Sequence, residues 1–168
     1  MTSGVIVTIK LDSYHRAFLR SYFDQPNNPF NFHKGHDLLK RLEVLLRPEP
    51  EIVKRCDYGD DAFVIEVPPF QHKNPLTYCH LSETAAKIFA SKIADFTQLI
   101  YHEKLTAYRN AGFEFKECAL LFMDEFNLPD DCYDRLIKDQ SRWRWNMRYK
   151  DSKRFKKKRN KLSPVGNI

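Results

Sequence analysis

Residues 82–112 read SETAAKIFASKIADFTQLIYHEKLTAYRNAG, and this stretch decides the fold. Neither Pro nor Gly interrupts it before Gly112, and Ala86, Phe89, Ile93, Phe96, Ile100 and Ala107 hold a helical stripe. Ser82 stands at its opening, and Gly112 where a left-handed residue ends a helix. Ile88, Leu99 and Leu105 lie partly off the stripe, so the segment predicts one long helix packed on more than one side. It is the expected spine of the molecule.

Working upstream, Gly4 to Leu11 alternates Val5, Val7, Ile9 and Leu11 with Ile6, Thr8 and Lys10, the period of a half-buried strand. Asp12 is placed to cap the helix that follows, SYHRAFLRSYF, with Tyr14, Ala17, Phe18 and Tyr22 inward and Arg16 and Arg20 exposed. Gln25 to Pro29 is a turn-rich break. A second helix is expected from about Asp37, carrying Leu38, Leu42, Leu45 and Leu46 and stopping before Pro48. Asp57 to Asp60 reads as a turn, Ala62 to Val67 as a strand ended by Pro68 and Pro69, and Leu76 to Leu81 as a partner strand. Pairing of this region with the N-terminal strand would give a small antiparallel sheet.

Downstream, Lys116 to Asn127 is helical, with Ala119, Phe122, Met123 and Phe126 on one face. Asn127 to Asp130 is a tight break around Leu128, and a second helix starts near Asp130 with Cys132, Tyr133, Leu136 and Ile137 as its apolar positions. This is a helix-turn-helix-like order in which Ala119 permits the crossing, Leu128 anchors the turn and Leu136 holds the second helix. An ordinary helical hairpin satisfies the same pattern. The expected class is α+β, mostly α. It comprises an N-terminal strand-helix unit, a small antiparallel β element, a long central helix and a C-terminal helix-turn-helix-like hairpin with a basic arm. The corresponding divisions are 1–112, 113–150 and a basic tail over 151–168, expected to be disordered until it meets phosphate.

Charge points to the partner. Residues 142–161, RWRWNMRYKDSKRFKKKRNK, hold eleven Lys or Arg and a single acid, Asp151. The segment from Arg142 onward sums to +10 and the preceding 141 residues to −4, so the whole-chain value of +6 joins an acidic body to a strongly basic arm. Such an arm is drawn to a polyanion, because each cation near a phosphate releases condensed counterions. Trp143, Trp145 and Tyr149 alternate with Arg142, Arg144 and Arg148, and flat rings beside guanidinium groups stack on bases. The expected nucleic-acid contacts are Arg135, Lys138, Arg142, Trp143, Arg144, Trp145, Arg148, Tyr149, Lys150, Lys153, Arg154, Lys156, Lys157, Lys158 and Arg159. Against this, Asp130, Asp131 and Asp134 open the second helix, and carboxylates are repelled by a phosphate backbone; the distal half of the helix is therefore the expected contact. A tail that only aids solubility is the plain alternative. Another is an assembly protein whose acidic body binds a protein partner.

Catalytic and metal signatures are sparse. Cys56, Cys79, Cys118 and Cys132 form no short-spaced pair, so reduced thiols are expected and no metal. No Walker-type loop, nucleophile elbow or dinucleotide fingerprint occurs, and no cofactor is expected. Glu66 with Gln71 and Lys73 comes nearest to a metal-dependent nuclease order, but Pro68 and Pro69 break it. His15, His80 and His102 read as surface residues. The sequence contains no apolar run of membrane-spanning length, and it opens without a basic signal-like region, which predicts a cytoplasmic protein.

Residues 112–150, GFEFKECALLFMDEFNLPDDCYDRLIKDQSRWRWNMRYK, resemble the C-terminal region of small helix-turn-helix-like DNA-binding proteins of bacterial phages and mobile elements. In these, FMDE followed by an aromatic residue and a short turn precedes YDRL-K and an R-aromatic-R basic end. The opening VTIKLDSYHRAFLRSYF and the later KGHDLL are similar to their N-terminal parts. The resemblance implies binding to duplex DNA in a bacterial host cell or a virion, and it supplies no catalytic residue.

Overall fold

The structure, a computed structural model, describes residues 4–51 and 58–161, and the side chains of the C-terminal helix as far as Arg148. In chain order the elements are β1 (Ile6–Lys10), α1 (Ser13–Tyr22), α2 (Asp37–Leu45), β2 (Ala62–Glu66), α3 (Glu83–Asn110), α4 (Phe115–Glu125) and α5 (Tyr133–Lys161). Short 3-10 turns at Gly59–Asp61 and Asp130–Cys132 lead into β2 and α5. The architecture is mostly helical α+β, as the hydrophobic periodicities predict.

β1 and β2 pair antiparallel, Ile6 opposite Glu66 and Lys10 opposite Ala62. On the other edge of β2 a single residue, Phe30, bonds through its backbone to Val64 and Glu66, at 2.8 and 2.9 Å. Val7, Ile9, Phe63 and Ile65 face the core from this sheet, all 5 % exposed or less. The expected strand at Leu76–Leu81 does not form. Asn74 makes a turn instead, its side-chain oxygen accepting from Leu76 N and its carbonyl from Thr77 and Tyr78. Leu76 is left in solvent, and His80 makes one isolated bridge to Arg47.

Helix ends follow local chemistry. Asp12 caps α1 by accepting from His15 N, and Ser82 caps α3 by accepting from Ala85 N. The His36 ring caps α2 through Leu38 N, a role the sequence did not announce. Gly112, at φ +98°, ends α3 in the left-handed region, with Phe113 N returning to the Tyr108 carbonyl. Asn127 does the same after α4 at φ +48°, sending Leu128 N back to Met123.

α3 is the spine, but its buried line is Phe89, Ile93, Thr97, Tyr101 and Leu105, one residue per turn. Phe96 and Ile100 flank that line half-buried, and Ala107 is exposed. The core is rich in aromatic rings: Phe18 meets Phe122 and Phe126 at centroid distances of 5.9 and 5.0 Å, and Tyr101 meets Phe122 at 4.7 Å. Ala119, Leu128 and Leu136 are all buried where α4 and α5 cross. They belong to the same cluster as Val7, Phe18 and Leu42, so the hairpin is packed into the body.

Candidate nucleic-acid interface

The first three turns of α5 are bolted to the body by polar contacts. Arg135 Nη1 donates to Asp12 Oδ2 at 2.7 Å, Nη2 donates to His15 Nε2 at 2.9 Å, and the guanidinium lies 4.6 Å over the Tyr14 ring. His15 is 5 % exposed, contrary to its expected place on the surface. An arginine can only donate, so His15 Nε2 is the acceptor and Nδ1 carries the proton toward Thr97 Oγ1, 3.3 Å away. Thr97 passes its own hydroxyl proton to the Ile93 carbonyl at 2.9 Å. Burial pushes the His15 pKa down to about 4, Asp12 opposing and Arg135 assisting, which keeps the ring neutral at neutral pH. Burial works against the Asp12 carboxylate, but Arg135 and the His15 amide outweigh it and leave its pKa below the ordinary aspartate value.

One turn on, Asp139 accepts from His102 Nε2 at 3.0 Å and from Gln98. These bonds overcome the cost of its burial and hold its pKa low. Gln140, 3 % exposed, donates to the Phe115 carbonyl at 2.7 Å. The Arg144 guanidinium sits 4.1 Å over the Phe115 ring, which Arg109 also approaches at 4.4 Å. Trp143 rests half-buried against His102, ring centroids 5.5 Å apart.

The fifteen expected contact residues therefore divide. Arg135, Trp143 and Arg144 have partners in the body. Lys138, Arg142, Trp145 and Arg148 are exposed. Tyr149, Lys150, Lys153, Arg154, Lys156, Lys157, Lys158 and Arg159 lie on the helical backbone of α5, and their side chains fall outside the described residues. The basic segment that the sequence set apart as a tail from residue 151 continues α5 to Lys161. Its composition permits this, because no Gly or Pro occurs between Pro129 and Pro164 and Lys, Arg and Met are good helix formers. What sequence reasoning missed is the anchor itself. Thr97, Gln98, Phe115, Asp139 and Gln140 carried no periodic signal, being polar on inner faces or apolar at a helix start.

Beside the anchor, a cleft of about 560 Å³ between α3 and α5 is lined by Asp95, Asp131, Asp134, Asp139, Lys138 and Arg142, among others. Asp131 and Asp134 sit at the start of α5, where the helix dipole favours negative charge. They are thus at the opposite end of α5 from the cationic run. Glu66 is buried in β2, while Asp61 pairs with Lys10 at 3.5 Å and Arg16 holds the Asp60 carbonyl. Arg16 and Arg20, expected in solvent, are half-buried in these loop contacts; Arg20 bonds Asn28 at 3.0 Å. Among the described residues no group of three or more His, Cys, Asp or Glu is arranged to hold a metal ion. Nor is any helix among them long and apolar enough to cross a membrane. Asp57 and Cys56 lie outside the described residues. Comparison of the chain with protein families, curated proteins and solved structures finds no match.

Proposed function

We propose that this chain is a non-enzymatic nucleic-acid-binding protein, an accessory or regulatory factor that grips duplex DNA through the distal half of α5. One observation carries the reading: eleven Lys and Arg between Arg142 and Lys161 ride on a single helix whose first turns are fixed in the folded body. A helix fits the major groove of B-DNA. At 100° per residue the eleven basic positions are distributed around the whole circumference, which suits a rod with phosphates on both walls of the groove. Residues 145–161 measure about 25 Å along the axis, or roughly seven base pairs. Arg135, spent on Asp12 and His15, serves the fold in this reading, so readout by the first turn of a recognition helix is not part of it.

Fluorescence anisotropy with duplex DNA, single-stranded DNA and duplex RNA across a salt series tests the proposal. Changing Lys156 to Arg159 to Ala removes four cations and lowers the slope of log K against log salt by roughly three to four for duplex DNA. An unchanged slope overturns the arm's role. The exposed carboxylates Asp131 and Asp134 at the start of α5 favour a second reading, in which the acidic body docks a protein partner and the arm touches nucleic acid incidentally. A chain ending at Gln140 separates the two: the first loses its binding, the second keeps its partner. The resemblance to phage and mobile-element proteins rests on the quoted segments alone, and with it the bacterial or virion setting.

A further inference from the structure

Phe115, the first residue of α4, is half-buried at the corner where α3 ends and α5 passes, and its ring carries two guanidinium groups. Arg109, in the last turn of α3, lies 4.4 Å from the ring centroid, and Arg144 of α5 lies 4.1 Å from it. The two positive charges are therefore within one Debye length of each other, about 10 Å at 0.1 M salt, and they repel. Yet among the described residues neither is in an ion pair. The acids nearest in the chain, Glu114 and Glu117, close a capping box on the backbone at the start of α4, Glu117 accepting from Glu114 N at 2.6 Å. Arg109 commits Nη1 to the Phe113 carbonyl, and Arg144 has no hydrogen-bond acceptor among the described residues. A ring attracts a guanidinium through its charge and leaves the N–H groups uncommitted. The corner thus holds two like charges in place with donors still open, an arrangement that an anion completes.

The surroundings decide which anion. Arg148, exposed one turn beyond Arg144, continues the row of cations into the distal half of α5. A phosphodiester has two free oxygens, one for each guanidinium, and the planar fork of an arginine matches phosphate geometry. A carboxylate satisfies the same donors, but continuity with the cationic run of α5 favours the phosphate. We propose that Arg109 and Arg144, held on Phe115, form a phosphate clamp on the body, at the α3–α4 corner, for a backbone phosphate of the duplex that α5 grips. This rests on the nucleic-acid reading above and extends it to Arg109, which belongs to no basic run in the sequence. Arg144 then has two duties: its contact with the ring packs α5 on α4, and its N–H groups meet the ligand.

The test uses the full chain and a DNA duplex longer than the arm covers. In a salt series read by fluorescence anisotropy, Arg109→Ala lowers the slope of log K against log salt by about one and the affinity roughly threefold. Arg109→Lys keeps the charge and restores the slope. Were Arg109 only packing for Phe115, Arg109→Ala would lower the melting temperature and leave the slope as it is, which overturns the clamp. A second readout needs no variant: phenylglyoxal modifies accessible arginines, and mass spectrometry locates the sites. Duplex protects Arg109, while Arg41, exposed on α2, stays reactive. Full reactivity of Arg109 in the saturated complex overturns the clamp whatever the variants do. Should the native chain bind no duplex at low salt, the grip of α5 on nucleic acid falls, and the clamp with it. Steeply salt-dependent binding with Arg109 unprotected removes the clamp alone.

Discussion

His15 connects three parts of the chain: it lies in α1, reaches Thr97 of α3 through one ring nitrogen and receives Arg135 of α5 on the other. Below about pH 6.5 the unfolded chain takes up a proton on this ring that the folded chain refuses until about pH 4. Stability therefore falls as pH drops through that window, by on the order of 3 kcal/mol in total, and is regained as pH rises. Urea midpoints measured from pH 7 to pH 4 should show this decline, and His15→Gln should flatten it. Asp12, with its pKa also lowered, adds a loss of stability at still lower pH, so the decline attributable to His15 is the part above about pH 4. Thr97→Val keeps the shape of the side chain but strands the proton on Nδ1 in a buried site. The expected cost is about 1–3 kcal/mol by denaturant titration, with the spectroscopic helix content unchanged.

At the scale of the element, α5 works as two halves of one helix. Leu136, 1 % exposed, is the apolar centre of the anchored half. Leu136→Ala should cost about 2–5 kcal/mol in unfolding free energy. The capped ends, the strand alternation and the long α3 were legible in sequence because Asp12, Ser82 and Gly112 act on their immediate neighbours and Val7 and Ile9 repeat at a fixed period. The same logic led astray at LTYCHL, where Asn74 and Pro75 impose a turn on an apolar run. Legibility ended where contacts are long-range. Arg135 finds Asp12 across 123 positions, and nothing local distinguishes it from Lys138, which stays in solvent. Thr97 and Tyr101 stand in the buried line of α3 although a hydrophobic stripe excludes the first and only tolerates the second; their hydroxyls are satisfied by Ile93 and Leu136 carbonyls.

For the whole molecule, fold and cationic surface are separable. The core uses residues from β1 through Leu136, and the charge imbalance begins at Arg142. A chain ending after Arg144 keeps Arg135, Gln140 and the contact with Phe115, so its thermal melt by circular dichroism should match that of the full chain. If the proposed function holds, its affinity for duplex DNA should be lost at moderate salt. The uneven charge also explains why the candidate interface was partly readable in advance: composition locates a cationic segment whatever its conformation, whereas the choice between Trp143 and Trp145 depends on which way the helix is turned.

That α5 passes from body to arm without a break has a rotary consequence. A helix transmits torsion, so whatever fixes the azimuth of the arm also fixes the azimuth of the body about the same axis. One Ala inserted after Met147 advances the arm by about 1.5 Å and turns it by about 100° relative to the body. On the proposed reading, duplex affinity should barely respond, because the basic positions are spread around the whole helix register, while the face of the body presented outward from the duplex changes. Hydroxyl-radical footprints recorded with a cleaving group attached at Cys79 should step around the duplex with one, two and three inserted residues and return close to the original side near the fourth.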